Sequence, residues 1–149
     1  MIERIRIITR SKERLEDVTH RVSEIVRRTR VEEGLCHLYV PHTTAGIVVN
    51  ENADPDVSRD ILERLEALVP SGGRYHHAEG NAPAHIKASL VGQSVTIPIE
   101  GGKLALGRWQ GVFLAEFDGP RDREVLVSVV MTATTPVEET IPEESRRRL

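Results

Sequence analysis

The sequence predicts an α+β fold in a single domain, and three observations carry the prediction. Short β-branched or alternating runs recur along the chain, two longer segments repeat their apolar residues at helical spacing, and almost everything from residue 94 to residue 132 reads as strand and turn. A length of 149 residues suits one domain, and no shift in composition divides it.

Residues 2–9 are short, β-branched and partly alternating, which predicts a strand, and residues 10–14 read as a polar turn. From Asp17 onward Val18, Val22, Ile25 and Val26 recur at helical intervals. They predict an amphipathic helix to about Arg30, with Thr19 or Asp17 as N-cap and His20 on the solvated side. Residues 35–40 alternate as a strand in which Cys36 packs as a small apolar residue. Residues 46–51 form an apolar run without alternation, which predicts burial on both faces. Asp54 and Pro55 are an N-cap and first-turn pair, opening a helix whose stripe is Val57, Ile61, Leu62, Leu65 and Leu68. Pro70-Ser71-Gly72-Gly73 stops it. Residues 84–90 suit a short helix ending near Gly92, and strands follow over 94–99, 104–106, 111–117 and 124–132. Gly101-Gly102 predicts a two-residue hairpin turn, and Asp118-Gly119-Pro120-Arg121 a tight connection between the last two strands. Residues 1–133 are thus expected to form the domain and 134–149 a charged, solvated tail.

Charge and composition narrow the function. Twenty-three acidic residues against 20 basic ones leave a formal charge of -3, and aromatics make up 3%, so neither a basic surface nor stacking platforms for nucleic acid are expected. No apolar run approaches a membrane span and the N-terminus has no signal-like core, so a cytoplasmic protein is expected. The single cysteine, Cys36, fits a reducing compartment.

Residues 75–85 concentrate three of the six histidines with Glu79, Gly80, Asn81 and Pro83. A plain core has little use for that mixture, whereas a metal or phosphate site does. His42, His77 and His85 could supply a three-imidazole zinc site with an open position, or be hydrogen-bonded loop histidines; their spacing matches no regular motif. Glu51, Glu79 and Asp118 could serve as general bases, as partners that orient an imidazole, or as magnesium ligands, while for Asp54 the capping role suffices. For a phosphate, Thr43 and Thr44 offer hydroxyls, Asn81 an amide, and Lys87 and Arg121 charge; the alternative for the two cations is an ordinary solvated side chain. Trp109, between Gly107 and Gly111, is read either as a cap on the core at a bend or as a pocket wall.

Together, His42-Thr43-Thr44-Ala45, the 50–55 segment, residues 75–90, residues 94–99 and Gly107-Arg108-Trp109-Gln110-Gly111 resemble the YjbQ-like family, known as secondary thiamine-phosphate synthase enzymes. The resemblance spans residues 2–130. It implies a compact α+β domain with mixed or antiparallel sheets in a sandwich-like core, a few flanking helices, and assembly as a homotrimer. It also implies that His42, His77 and His85 gather at a metal-binding pocket. The reaction it implies joins a hydroxymethylpyrimidine pyrophosphate to a thiazole phosphate, with Lys87 and Arg121 neutralising the anion and Glu79 or Glu51 orienting ligands. Three histidines suit zinc better than magnesium, the ion expected for pyrophosphate chemistry, so the expected activity is weak or secondary. A zinc-dependent hydrolase of a phosphate ester, with Glu79 or Asp118 as base, and a non-catalytic metal- or metabolite-binding oligomer are the alternatives. The sequence departs from the family in one place: Arg108 stands where Thr or Ser is usual before Trp-Gln.

Overall fold

Along β1 (Ile2–Ile8), Ile5 and Ile7 turn inward and are buried while Arg4 and Arg6, which alternate with them, stay exposed, so the period of two in the sequence becomes one buried and one solvated face. The same logic builds β3 (Gly34–Tyr39), where Cys36 and Leu38 are buried, and β8 (Asp122–Met131), where Val125 and Val127 are. The computed structural model describes residues 1–132, and the charged tail expected over 134–149 lies outside the described residues.

Between these strands come β2 (Arg14–Asp17), α1 (Thr19–Thr29), β4 (Ala45–Glu51), α2 (Pro55–Leu68), α3 (Ala82–Val91), β5 (Ser94–Glu100), β6 (Lys103–Leu104) and β7 (Gln110–Glu116). One sheet runs β1-β8-β3-β5-β6 and the other β2-β7-β4. The paired strands within each sheet are antiparallel, so of the mixed or antiparallel arrangement expected it is the antiparallel one that forms. Val22, Ile25 and Val26 of α1 enter the core between the sheets, with Leu38, Val125 and Ile97 from one sheet and Ile47, Val112 and Leu114 from the other. A second cluster lies on the opposite face of the smaller sheet, where Leu15, Phe113 and Ala115 meet Ala84 and Ala88 of α3 and the half-buried Ile61, Leu62 and Leu65 of α2. The fold is therefore α+β, two packed sheets with helices against them.

Several expectations need correction. Residues 14–17, assigned to the end of a turn and the start of a helix, form β2, whose one apolar side chain, Leu15, pairs opposite Ala115. The neighbouring β7 supplies what the local sequence lacks. Both-face burial belongs to β7, with Val112 and Leu114 in one cluster and Phe113 and Ala115 in the other, while the second half of β4 is only half-buried. Leu68 is exposed, and the stripe on α2 is half-buried because the helix covers a narrow sheet. The strand expected over 104–106 shrinks to Lys103–Leu104. The hairpin before it forms as expected: Gly101 and Gly102 adopt φ of +55° and +74°, and Glu100 pairs with Lys103. Asp54 caps α2 by accepting the Asp56 N–H at 2.9 Å.

Three charged side chains, Arg123, Glu116 and Lys87, are buried and paired. Arg123 donates from Nε to Glu116 Oε1 at 2.9 Å and from Nη2 to Thr44 Oγ1 at 2.8 Å, and Thr9 Oγ1 donates to the same carboxylate at 2.6 Å. Lys87, wholly buried, is not the solvated side chain the sequence allowed: its ammonium sits between Glu13 and Glu66. Burial pushes the lysine pKa down, but the hydrogen bonds and charge of the two carboxylates outweigh it and the net shift is upward. The lysine and two Ser71 hydrogen bonds hold Glu66 down at about 2, against an ordinary 4.5.

Breaking the Arg123 pair leaves Glu116 buried without its partner, so Arg123→Met is expected to lower the unfolding free energy by about 3–5 kcal/mol in urea titrations. The Lys87 partners reach solvent, so Lys87→Met is expected to cost less, about 2 kcal/mol. Because Glu66 is depressed, its stabilising contribution is full above pH 4.5 and lost as pH falls towards 2. Stability of the unmodified chain should therefore fall more steeply across that window than stability of Lys87→Met.

Candidate functional site

His42 lies in the short connection between β3 and β4. Its Nε2 accepts the backbone N–H of Glu124 at 2.9 Å, which assigns the ring proton of the neutral imidazole to Nδ1. Partial burial, reinforced by the Arg123 charge, holds its pKa below the ordinary histidine value and keeps it neutral. Thr44 points the other way, buried and accepting from Arg123, and so serves the framework, whereas Thr43 is exposed.

Across from this connection stands α3. His85 and Ser89 are one turn apart and share a face, and the Ser89 hydroxyl donates to the His85 carbonyl at 2.8 Å. Lys87, two residues on from His85, is carried round into the core. The outward face and the 41–43 connection enclose an open cleft of about 550 Å³ bordered by Tyr39, His42, Thr43, His85, Ser89 and Gln93. His77 packs edge-to-face on His85 with ring centroids 5.2 Å apart, and its Nε2 is 3.7 Å from Glu79 Oε2.

The remaining candidates divide into two places. Asn81, Asp118 and Arg121 meet at the start of α3: Asn81 Nδ2 donates to Asp118 Oδ2 at 3.0 Å, and Arg121 pairs with the same carboxylate at 2.8 Å. Burial raises the Asp118 pKa, but these two partners reverse the shift and it lies below the ordinary value. A recess of about 140 Å³ beside them is also bordered by Glu79. Glu51 and Trp109 are elsewhere. Ala45 pairs with Glu116, next to the cleft, and Glu51 with Gln110 at the other end of the sheet, a separation of roughly 20 Å for six residues of strand. Trp109 is 55% exposed there, so it neither caps the core nor borders the histidine cleft of its own chain.

The histidines do not fit a three-imidazole metal centre in this arrangement. The Nε2 lone pair of His42 faces a backbone amide, and among the described residues no group of three or more His, Cys, Asp or Glu is arranged to hold an ion. Sequence reasoning missed Ser89, which the four-residue step from His85 could have flagged, and the Glu116–Arg123 pair, which carried no signal because charged residues in strands ordinarily face solvent.

Comparison with known proteins agrees with this architecture. The family model described as UPF0047 protein YjbQ-like matches residues 3–132. A UPF0047 protein of Methanocaldococcus jannaschii is 49% identical over 130 residues, covering 87% of this chain and 94% of that protein. YugU, a UPF0047 protein of Bacillus subtilis, is 41% identical over 131 residues, 87% of this chain and 99% of its own length. Among solved structures, a YjbQ/UPF0047 family protein of Clostridium acetobutylicum superposes with a TM-score of 0.84 at 50% identity, covering 86% of this chain and 99% of that one. A YbjQ-like protein of unknown function from Sulfolobus solfataricus gives 0.85 at 32% identity, with 89% and 97% covered. With the match running through both sheets and all three helices, the chain belongs to the UPF0047 YjbQ-like family.

Proposed function

We propose that the chain is an enzyme acting on a small phosphorylated metabolite, held in the cleft between the 41–43 connection and α3. The observation that carries this reading is that His42, Thr43, His85 and Ser89, from segments more than forty residues apart, border one cleft with His77 packed on His85. Neutral His42 can donate from Nδ1 and Thr43 from its hydroxyl to phosphate oxygens, and His85 can exchange a proton. The reaction to test first is thiamine phosphate formation. A thiazole nitrogen forms a bond to the pyrimidine methylene, the carbon–oxygen bond to pyrophosphate breaks, and the cleft donors stabilise the departing anion. A zinc-dependent route draws no support from the ligand geometry, and no step is assigned to a metal. The proposed setting is cytoplasmic, on which the free thiol of Cys36 bears, with assembly as a homotrimer proposed on the family resemblance alone; no helix of the described residues is long and apolar enough to cross a membrane.

A second reading, an oligomeric metabolite-binding protein without turnover, draws on the placement of the carboxylates. Glu51 is remote and Asp118 is engaged by Arg121, which leaves Glu79 as the only one of the three candidate bases beside the histidines.

Calorimetric titration with pyrophosphate separates these readings from none at all. His85→Ala is expected to weaken binding about 10-fold or more, the worth of one charged hydrogen bond, and absence of binding to the unmodified chain would sink both. Lys87→Met should leave the affinity within about twofold despite its stability cost, because its ammonium already has two carboxylate partners. Restored growth of a strain lacking its thiamine-phosphate synthase, lost with His42→Ala and His85→Ala, would favour the enzyme; binding without turnover favours the second reading.

A further inference from the structure

The cleft lacks something that a phosphate site needs. Its border holds hydroxyls, imidazoles and an amide but no arginine or lysine, and two nearby candidates are engaged, Lys87 with Glu13 and Glu66 and Arg121 with Asp118. At the other end of the smaller sheet the converse holds. Trp109 projects into solvent with the Arg108 guanidinium 4.9 Å over its ring, and among the described residues Arg108 has no carboxylate partner. The turn that carries them is not loose. Gln110 Oε1 accepts the Gly107 N–H at 2.7 Å, the Gln110 N–H returns to the Gly107 carbonyl at 3.0 Å, and the Asn52 N–H holds the Trp109 carbonyl at 3.1 Å. A fixed, exposed Trp–Arg pair is the side-chain combination that anchors protein interfaces, and its ordering cost has already been met in the free chain.

One chain cannot bring the two ends together, because the sheet holds them roughly 20 Å apart. We propose that the Arg108–Trp109 turn of one copy docks in the His42–His85 cleft of a second copy, head to tail, and supplies the cation that the cleft lacks. Contacts of this kind join unlike surfaces, so they close into a ring when the rotation allows. An opening of about 550 Å³ is large enough to take an indole beside a small anion. The role given to Arg108 rests on the phosphate reading above, whereas the contact itself does not.

Trp109 is the only tryptophan, so the unmodified chain reports on the contact without substitution. Light scattering should show an oligomer at micromolar concentration, with Trp109 emission shielded from iodide and becoming accessible as dilution separates the copies. Cys36, the only native cysteine, is buried and burial pushes its thiol up to about 11, which keeps it out of disulfide trapping. Mixed Thr43→Cys and Arg108→Cys chains, which keep the Trp109 anchor, should therefore cross-link at least about tenfold more than either alone, because only the mixture sets the two thiols face to face. Arg108→Ala should weaken pyrophosphate binding about tenfold with Arg108→Lys recovering part of it, the pattern of a lost charged contact. A monomer, an oligomer whose Trp109 stays open to iodide, or absence of the mixed cross-link would each overturn the contact, and unchanged affinity in Arg108→Ala would overturn the role of the cation. Shielding and cross-linking in a chain that binds no pyrophosphate would support the contact and sink the phosphate reading alone.

Discussion

The buried Arg123–Glu116 pair is the constraint on which the candidate site depends. It joins the start of β8 to the end of β7, takes in Thr9 at the end of β1, and reaches Thr44 just before β4. An ion pair so deep is expensive to desolvate, and the extra hydrogen bonds from Thr9 and to Thr44 are what make it tolerable. They also fix the path of residues 42–44. His42 is held from the other side by the Glu124 amide, which fixes its tautomer, while partial burial, reinforced by the Arg123 charge, keeps the ring neutral.

Helix α3 works as a divider. Its inward face places Ala84 and Ala88 against β7 and buries the Lys87 ammonium between two carboxylates, and its outward face turns His85 and Ser89 to the cleft. The small alanines let the helix approach the sheet closely, and the ion pairs fix its rotation. A rotation of α3 would remove the Lys87 ammonium from its partners, so the position of His85 is tied to the charge balance of the core. The smaller sheet acts as a rigid spacer, holding the histidines at one end and the exposed Arg108–Trp109 turn at the other.

Much of the fold was legible because it rests on local patterns. The Asp54-Pro55 helix start, the Gly101-Gly102 hairpin and the alternation of β1 and β3 each express short-range chemistry that survives into the structure. β2 was not legible, since a single Leu15 gives no period and only the edge of β7 makes the segment a strand. Lys87 illustrates the same limit at the level of charge. Its type suggested a solvated or anion-binding side chain, and its two partners come from positions 74 and 21 residues away in the chain.

By itself the sequence determined the residue types that can bind and transfer protons, the short-range elements that carry them, and the family to which the whole pattern belongs. Which of those residues meet was decided by tertiary structure alone, because strand pairing sets distance through register and not through separation along the chain. That is why His42 and His85 share a cleft across forty-three positions while Glu51, only nine residues from His42, stands at the far end of a strand from it.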